Sequence, residues 1–338
     1  MPSQPQPVTA TVLIATFSLS RWDLLVESVE SVQAQTRPPL ELIICIDHNA
    51  ELLRRCEERW SRRESAADFP IEVVPNRFEH SQRSAHVYEK AHGSRRRFGA
   101  GSNRNTGAEL ARGDILVFLD DDAVAAPTLL EYLLAPFEDR RTVAVGGAPV
   151  PRYETGRPRW FPANFDWVFG CAYAGMPEEL APYPRLIGAN LSVRRDAFNE
   201  IGGFHSVDFD DLDLCLRLAH REDANQLMYE PRAIVHHFVP IQRVSWQYFW
   251  RRCFFVNREK VEVFAALGEA ADMGAESQFV GRAITAQLVA DATDVLHGRF
   301  TGLSRMGAML IGILMAATGH LVGRFQSASR GRLRQIAD

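Results

Sequence analysis

The chain has 338 residues, 46% hydrophobic and 24% charged, with a formal net charge of -4. These fractions are those of a globular protein and exclude general disorder, and the slight acidity offers no footing for a nucleic-acid partner. The five cysteines (Cys45, Cys56, Cys171, Cys215 and Cys253) form no CxxC pair, and an odd number closes no disulfide framework, so buried free thiols in a reducing cytoplasm are expected.

Residues 1–7 are rich in Pro and Gln, without a basic stretch leading into an apolar one, and read as a short disordered tail rather than a signal peptide. Residues 8–15 predict a buried strand, 16–21 a short loop, and 22–34 a helix with Trp22, Leu25, Val26, Val29 and Val32 on one face. Pro38 and Pro39 stop that helix. A near-continuous apolar strand over 42–46 ends at Asp47, followed by a helix over 51–62 and a strand over 71–74. Strand and helix in alternation, with continuously apolar strands, predict a parallel sheet covered on both faces.

A helix is expected over 103–111 and a strand over 114–119, with Pro127 in the first turn of the next helix. A strand follows over 142–148. Residues 149–184 carry Pro, Gly and aromatics without a period, the mark of a functional loop or lid. A strand over 186–193 and helices over 196–201 and 212–220 come next.

The stretch 244–338 reads as mostly helical. Within it, 306–323 holds no Lys, Arg, Asp or Glu, and as a helix would measure roughly 27 Å, short for crossing a bilayer. Arg324, Arg330, Arg332 and Arg334 follow it. Packing on the preceding α/β domain, a homodimer interface and peripheral contact with an anionic membrane surface all stay open for this helix.

The chemistry concentrates at strand ends. Asp120, Asp121 and Asp122 stand directly behind the apolar run 115–119. Carboxylates crowded together repel, and a divalent cation with oxygen ligands relieves that repulsion; a solvated loop is the alternative. Thr16, Asp47 and the segment 101–107 fall at equivalent edges, where parallel sheets open into a ligand crevice. A strand-end Asp is also a common turn former, and Ser102 or Asn103 a common helix cap. The aromatic run 160–167 suits either a sugar platform or core packing.

Eight segments in order give a family resemblance: 12–17, 28–36, 43–47, 103–107, 111–122, 188–195, 201–204 and 210–217. Together they resemble the family 2 glycosyltransferases, which are inverting enzymes of the GT-A fold. The resemblance implies an α/β fold with a Rossmann-like, mostly parallel sheet flanked by helices and a helical C-terminal extension. It implies a catalytic domain over 8–260, divided into a nucleotide-sugar half (8–125) and an acceptor half (126–260), and a helical region over 261–338.

By position, the resemblance places Thr16 and Asp47 at the nucleotide base, Arg104 on the nucleotide side and Asp120 near the ribose. Asp121 sits among these donor-binding residues, with a structural part to play. Asp122 is the expected ligand of Mn or Mg, joined by His237 or its neighbour His236; adjacent residues on a strand face opposite ways, so only one of the two reaches it. Asp211 takes the place of the general base, where relatives carry Glu-Asp and this chain has Asp210 and Asp211, with Asp210 left to position the acceptor or to substitute as base. Asp213 reads as a helix-start acid. The implied partners are a nucleotide-diphosphate sugar, by family habit a uridine one, and a glycan or lipid-linked acceptor, handled in the cytoplasm at the inner face of the cell membrane. The second strand ends in Asp47, His48 and Asn49 rather than two acids and a small residue; with the segment 171–177 this resembles a subgroup acting on polyprenyl-linked sugars, glucuronosyltransferases among them.

Other classes fit less closely. A nucleotidyltransferase would carry a Gly-rich loop with Lys after the first strand, and a dehydrogenase a GxGxxG there; residues 16–21 have neither. A non-catalytic membrane-bound scaffold would have lost the acids at 120–122 or 211, and all are present.

Overall fold

The structure is a computed structural model and describes residues 7–60, 68–77, 100–205, 209–220, 226–266, 274–297 and 299–337. The expected tail before Pro7 and the last residues of the helix expected over 51–62 lie outside the described residues.

Four strands build the parallel part of the sheet: β1 (Ala10–Thr16), β2 (Glu41–Ile46), β3 (Ile71–Pro75) and β4 (Ile115–Asp120). Every residue of β2 is buried, as a strand covered on both faces requires. Helix α1 (Trp22–Gln33) lays Leu25, Val29 and Val32 on one face of the sheet, and α2 (Ala50–Trp60) adds Leu52, Cys56 and Trp60. The i, i+3 and i, i+4 spacings of these residues make a single stripe on each helix. Elsewhere Phe118 of β4 meets Phe204 edge-on and Phe198 at a tilt. Helix α3 (Ala100–Leu110) contains Gly107, where a methyl group would fall 2.6 Å from the Cys45 Sγ, so only glycine lets this helix approach the strands.

Beyond β4 the sheet turns antiparallel. The chain adds β5 (Ala123–Ala125), α4 (Leu129–Leu134), β6 (Thr142–Tyr153), β7 (Ala181–Pro182), β8 (Asn190–Arg194), α5 (Arg195–Glu200), α6 (Asp210–Ala219) and β9 (Gln226–Val239). The order across the sheet is β3-β2-β1-β4-β8-β6-β9-β5, with β7 on β9. The expected class, a Rossmann-like sheet with helices around it and a helical C-terminal region, is the one found. Among the described pairings, the parallel ones join the first four strands. Pro127 precedes the first turn of α4 instead of starting it, because Thr128 holds the N-cap position.

The described chain falls into two compact units, Met1–Val150 with Pro177–His237, and Pro151–Met176 with Phe238–Asp338. The second holds α7 (Trp246–Ala266), α8 (Gly274–Leu296) and α9 (Thr301–Ala337). Its core gathers Phe161, Phe165, Phe169, Phe249, Cys253, Ala308 and Met309. The segment 149–184 is thus more ordered than a loop: β6 runs on to Tyr153, and Ala163–Phe169 forms a 3-10 turn. Of the two readings for its aromatic run, core packing applies to Phe161 and Phe165, while Trp160 stacks on Trp246 at 4.2 Å. Buried Asp166 accepts from Tyr153 and Arg157 and closes this segment on itself.

All five cysteines are free and buried. Burial pushes the Cys45 and Cys215 thiols up to about 12, so they serve as small apolar side chains.

Candidate active site

The ends of β1, β2 and β4 converge in the first unit. Asp121, just past β4, is almost fully enclosed and accepts from the Thr16 hydroxyl at 2.6 Å and from Arg21 Nη1 at 2.6 Å. The second arm of the same guanidinium pairs with Asp122 Oδ2. Arg21 thus clamps two successive acids from a 3-10 turn that Ser18 caps. Burial pushes the Asp121 carboxyl up to about 6, with Asp122 adding to the rise and Arg21 opposing it. The Thr16 hydroxyl is committed to this acid.

The opposite oxygen of Asp122 meets a histidine. Strand β5 pairs antiparallel with β9 and sets Ala123 opposite His237. Along β9 exposure alternates, so His236 points outward and His237 inward. His237 Nε2 lies 3.2 Å from Asp122 Oδ1 and 3.9 Å from Asp120 Oδ2. Asp120, Asp122 and His237 each bring one ligand atom within 4.8 Å of the others. Two carboxylates and an imidazole suit Mn2+ or Mg2+, with further positions left for oxygen ligands.

Arg104, on α3, connects this trio to the later acids. Its Nη2 donates to Asp120 Oδ1 at 2.6 Å and its Nη1 to Asp210 Oδ2 at 2.8 Å. Burial works against its charge, but Asp210 and Asp120 outweigh it and keep the guanidinium firmly protonated. Asp210 is the first residue of α6, behind Phe209 at the N-cap position, and its side chain accepts from the Asp211 N–H. Burial pushes the Asp210 carboxyl up to about 6; Arg104 restrains that rise and Asp211 adds to it. Asp211 Oδ2 accepts from the Gly188 N–H at 3.0 Å, a bond that fixes the direction of its carboxylate. A methyl at Gly188 would fall 3.2 Å from the Asp211 Cβ, so the loop has little room for a larger residue. Asp213 pairs with Arg217 one turn on and is the helix-start acid the sequence suggested.

Asp47 follows β2 and accepts from Asn76 Nδ2 at 2.8 Å, with His48 Nδ1 2.6 Å away. Two non-glycine residues have left-handed backbones among the described residues, His48 (φ 47) and Phe209 (φ 56). Each adjoins a site acid, Asp47 or Asp210. Such conformations cost on the order of 1–3 kcal/mol and collect at functional sites.

The structure therefore brings Thr16, Asp120, Asp121, Asp122 and His237 together, and Arg104 joins them to Asp210 and its neighbour Asp211. Asp120, expected near the ribose, also stands within reach of a shared cation. Sequence reasoning missed Arg21 and Asn76. Arg21 sits five residues past Thr16 with no motif to mark it, and Asn76 acts through an ordinary strand end.

Comparison with known proteins follows the same lines. The family model described as "Glycosyl transferase family 2" matches residues 79–202. A "Glucosyl-dolichyl phosphate glucuronosyltransferase" of Haloferax volcanii is 30% identical over 260 residues, covering 74% of this chain and 75% of its own. A "Pre-mycofactocin glycosyltransferase" of Mycobacterium tuberculosis is 28% identical over 232 residues, 67% of this chain and 45% of that longer one. Among solved structures, a mannosyltransferase of Pyrobaculum calidifontis in complex with GDP-Man and Mn2+ aligns at a TM-score of 0.56 and 17% identity, covering 94% of this chain and 88% of its own. GalNAc-T7 with UDP, GalNAc and Mn2+ aligns at 0.51 and 16%, over 82% of this chain and 54% of its own. Both share the GT-A fold. Identity sustained over three quarters of the Haloferax relative, on a sheet of this fold, makes the chain a member of glycosyltransferase family 2.

Proposed function

We propose that this glycosyltransferase moves a sugar, with inversion, from a uridine diphosphate donor to a hydroxyl of a polyprenyl-linked sugar at the cytoplasmic face of a membrane. The observation that carries the reading is the Arg104 bridge, which holds a metal-competent acid, Asp120, and an acceptor-side acid, Asp210, on one guanidinium. The acceptor class draws on the Haloferax relative, whose name gives a dolichyl phosphate substrate. The proposed catalytic domain is 8–260, with 261–338 as the helical region.

Each residue has a part in that reaction. Thr16 and Asp47 frame the base, and Asp120 serves the ribose as well as the cation. Asp120, Asp122 and His237 would hold Mn2+ or Mg2+. That ion, when bound, neutralises the charge that develops on the departing diphosphate. Asp211 takes the proton from the acceptor hydroxyl while that oxygen bonds to the anomeric carbon and the bond to the diphosphate breaks. Gly188 aims Asp211, and Arg104 keeps a positive charge fixed between the two groups of acids. A second assignment, with Asp210 as base, has one observation in its favour: a carboxyl raised to about 6 is suited to proton transfer near neutral pH.

Titration calorimetry of UDP with and without Mn2+ tests the donor half. Asp122→Ala is expected to abolish the Mn2+-dependent part of the affinity, and unchanged affinity would remove Asp122 from the metal site. A thermal-shift screen of UDP-, GDP- and TDP-sugars with Mn2+ identifies the base, and stabilisation by a GDP-sugar alone would overturn the uridine assignment.

A further inference from the structure

Helix α9 has two apolar faces of different kinds. One is a glycine seam closed against α7. A methyl at Gly319 would fall 2.1 Å from the Phe254 carbonyl oxygen, and one at Gly323 2.6 Å from that of Arg258. A methyl at Gly312 would meet the Phe165 and Phe249 rings. The two helices therefore lie side by side and run in the same direction, with backbones in near contact.

The other face is open. Leu303, Leu310, Leu314, Leu321 and Phe325 recur at spacings of 7, 4, 7 and 4, which puts them in one stripe along the helix. All five are between 54% and 73% exposed. Scattered exposed leucines need no explanation, but a continuous row along six turns does.

Charge decides what covers it. The 37 residues of α9 contain no acid and five arginines; Arg305 is paired with Asp291 and Asp294 of α8, and the other four, Arg324, Arg330, Arg332 and Arg334, fall in its last part. A second copy of this helix laid alongside in the same direction would set those four arginines beside their counterparts. An anionic lipid leaflet offers the opposite charge and an apolar layer beneath it.

Length and hydropathy alone would let Thr301–Ala328 cross a bilayer, and with only 28% of its most apolar window buried it is not a core helix. Crossing is opposed by the partner helix. The part of α7 that lies along the seam carries Arg251, Arg252, Arg258, Glu259 and Lys260. Ionised side chains are strongly disfavoured at the bilayer centre.

We propose that the Leu303–Phe325 face of α9 is a membrane-docking surface that lies in the plane of an anionic leaflet and inserts its leucine row without crossing. The proposal deepens the functional reading by assigning the membrane contact to one face of one helix, and rests on that reading only for the direction in which an acceptor would arrive.

The test is flotation of the full-length protein with vesicles of phosphatidylcholine, alone or with roughly one third phosphatidylglycerol. Binding to the anionic vesicles, weakened by salt and released by alkaline carbonate, is expected. Leu310→Glu with Leu314→Glu and Leu321→Glu should lower the partition coefficient at least about tenfold, since each exposed leucine loses its transfer energy. The same three positions changed to Ser should weaken binding at unaltered charge, which separates insertion from simple attraction. Equal flotation of wild type and both variants overturns the proposal, and so does carbonate-resistant membrane association. Conversion of a wild-type dimer to a monomer by the triple variant, with vesicle binding unchanged, assigns the face to a second copy and also overturns it. Mn2+-dependent UDP binding, measured on the same samples, judges the functional reading separately: a protein that floats but binds no nucleotide loses that reading and keeps this one.

Discussion

Arg104 and Asp210 are joined by a 2.8 Å hydrogen bond, and the same guanidinium holds Asp120 on its other arm. One residue of α3 thereby joins two acids that stand 90 positions apart in the chain. The bond also sets the ionisation of Asp210, whose carboxyl burial pushes up to about 6 against the pull of Arg104.

Replacing Arg104 by Gln should therefore move Asp210 further up. The acidic limb of the kcat/KM profile is expected to shift to higher pH, with activity near neutrality reduced at least about tenfold. Asp210 binds its proton more tightly folded than unfolded, where its ordinary value is 3.8. The metal-free protein should consequently lose stability as pH rises from about 4 through about 6, and lose more of it in the variant. Stripping both acids of their partner costs roughly 3 kcal/mol. A pH series of thermal melts and rates checks both effects, and an unmoved acidic limb would separate Asp210 from the rate.

Arg21 makes a different prediction. It occupies one oxygen of Asp122 and neutralises Asp121 beside it. Arg21→Gln leaves those acids to repel, so the metal-free melting temperature should fall. Added Mn2+ should then raise the melting temperature by more than in the wild type, because the cation now relieves a larger repulsion. Scanning fluorimetry with and without Mn2+ reads this without any turnover, and an unchanged shift would sever Arg21 from the metal site.

Asp211→Asn keeps the shape and one oxygen for the bond from Gly188 but removes the proposed proton acceptor. Turnover should drop by about 10²–10⁴-fold while Mn2+-dependent UDP affinity stays within about twofold. Full activity in this variant would transfer the base assignment to Asp210.

Stability has its own buried anchor in Glu41. It accepts from the Thr11 hydroxyl at 2.8 Å and from the Arg112 backbone N–H at 2.7 Å, with the Arg112 guanidinium on its other side. Burial opposes its charge, but these donors outweigh burial and hold the carboxyl below its ordinary value of 4.5. Its contribution is complete above that value and is lost as pH falls through the lower folded one. Glu41→Gln should cost about 1–3 kcal/mol at pH 7 and flatten the acid side of the stability curve, as denaturant titration would record.

Much of this was legible from the sequence because the relevant signals are local. Apolar runs ending in Asp47 and Asp120 fixed where the crevice opens, and the segment from Arg104 to Asp122 carried the family pattern. Strand alternation was enough to say that only one of His236 and His237 turns inward, and pairing with β5 decided which. What escaped was non-local. Nothing near Arg21 announces that it will meet acids 100 positions away. Nor does the aromatic run 160–167 reveal that Phe161 and Phe165 will close a core with α7 and α9. The long β6 was cut short in the sequence reading by Pro149 and Pro151, which the strand absorbs near its exposed end.

The left-handed backbones at His48 and Phe209 carry a consequence for anyone seeking a hardier version of this enzyme. Glycine relieves strain at such positions, so selection for heat resistance alone would favour it at both. Each exchange would also slacken the seat of the adjoining acid, Asp47 or Asp210. Robustness and turnover should trade against each other at these two places, and a library screened only for survival would drift toward sturdy, sluggish proteins.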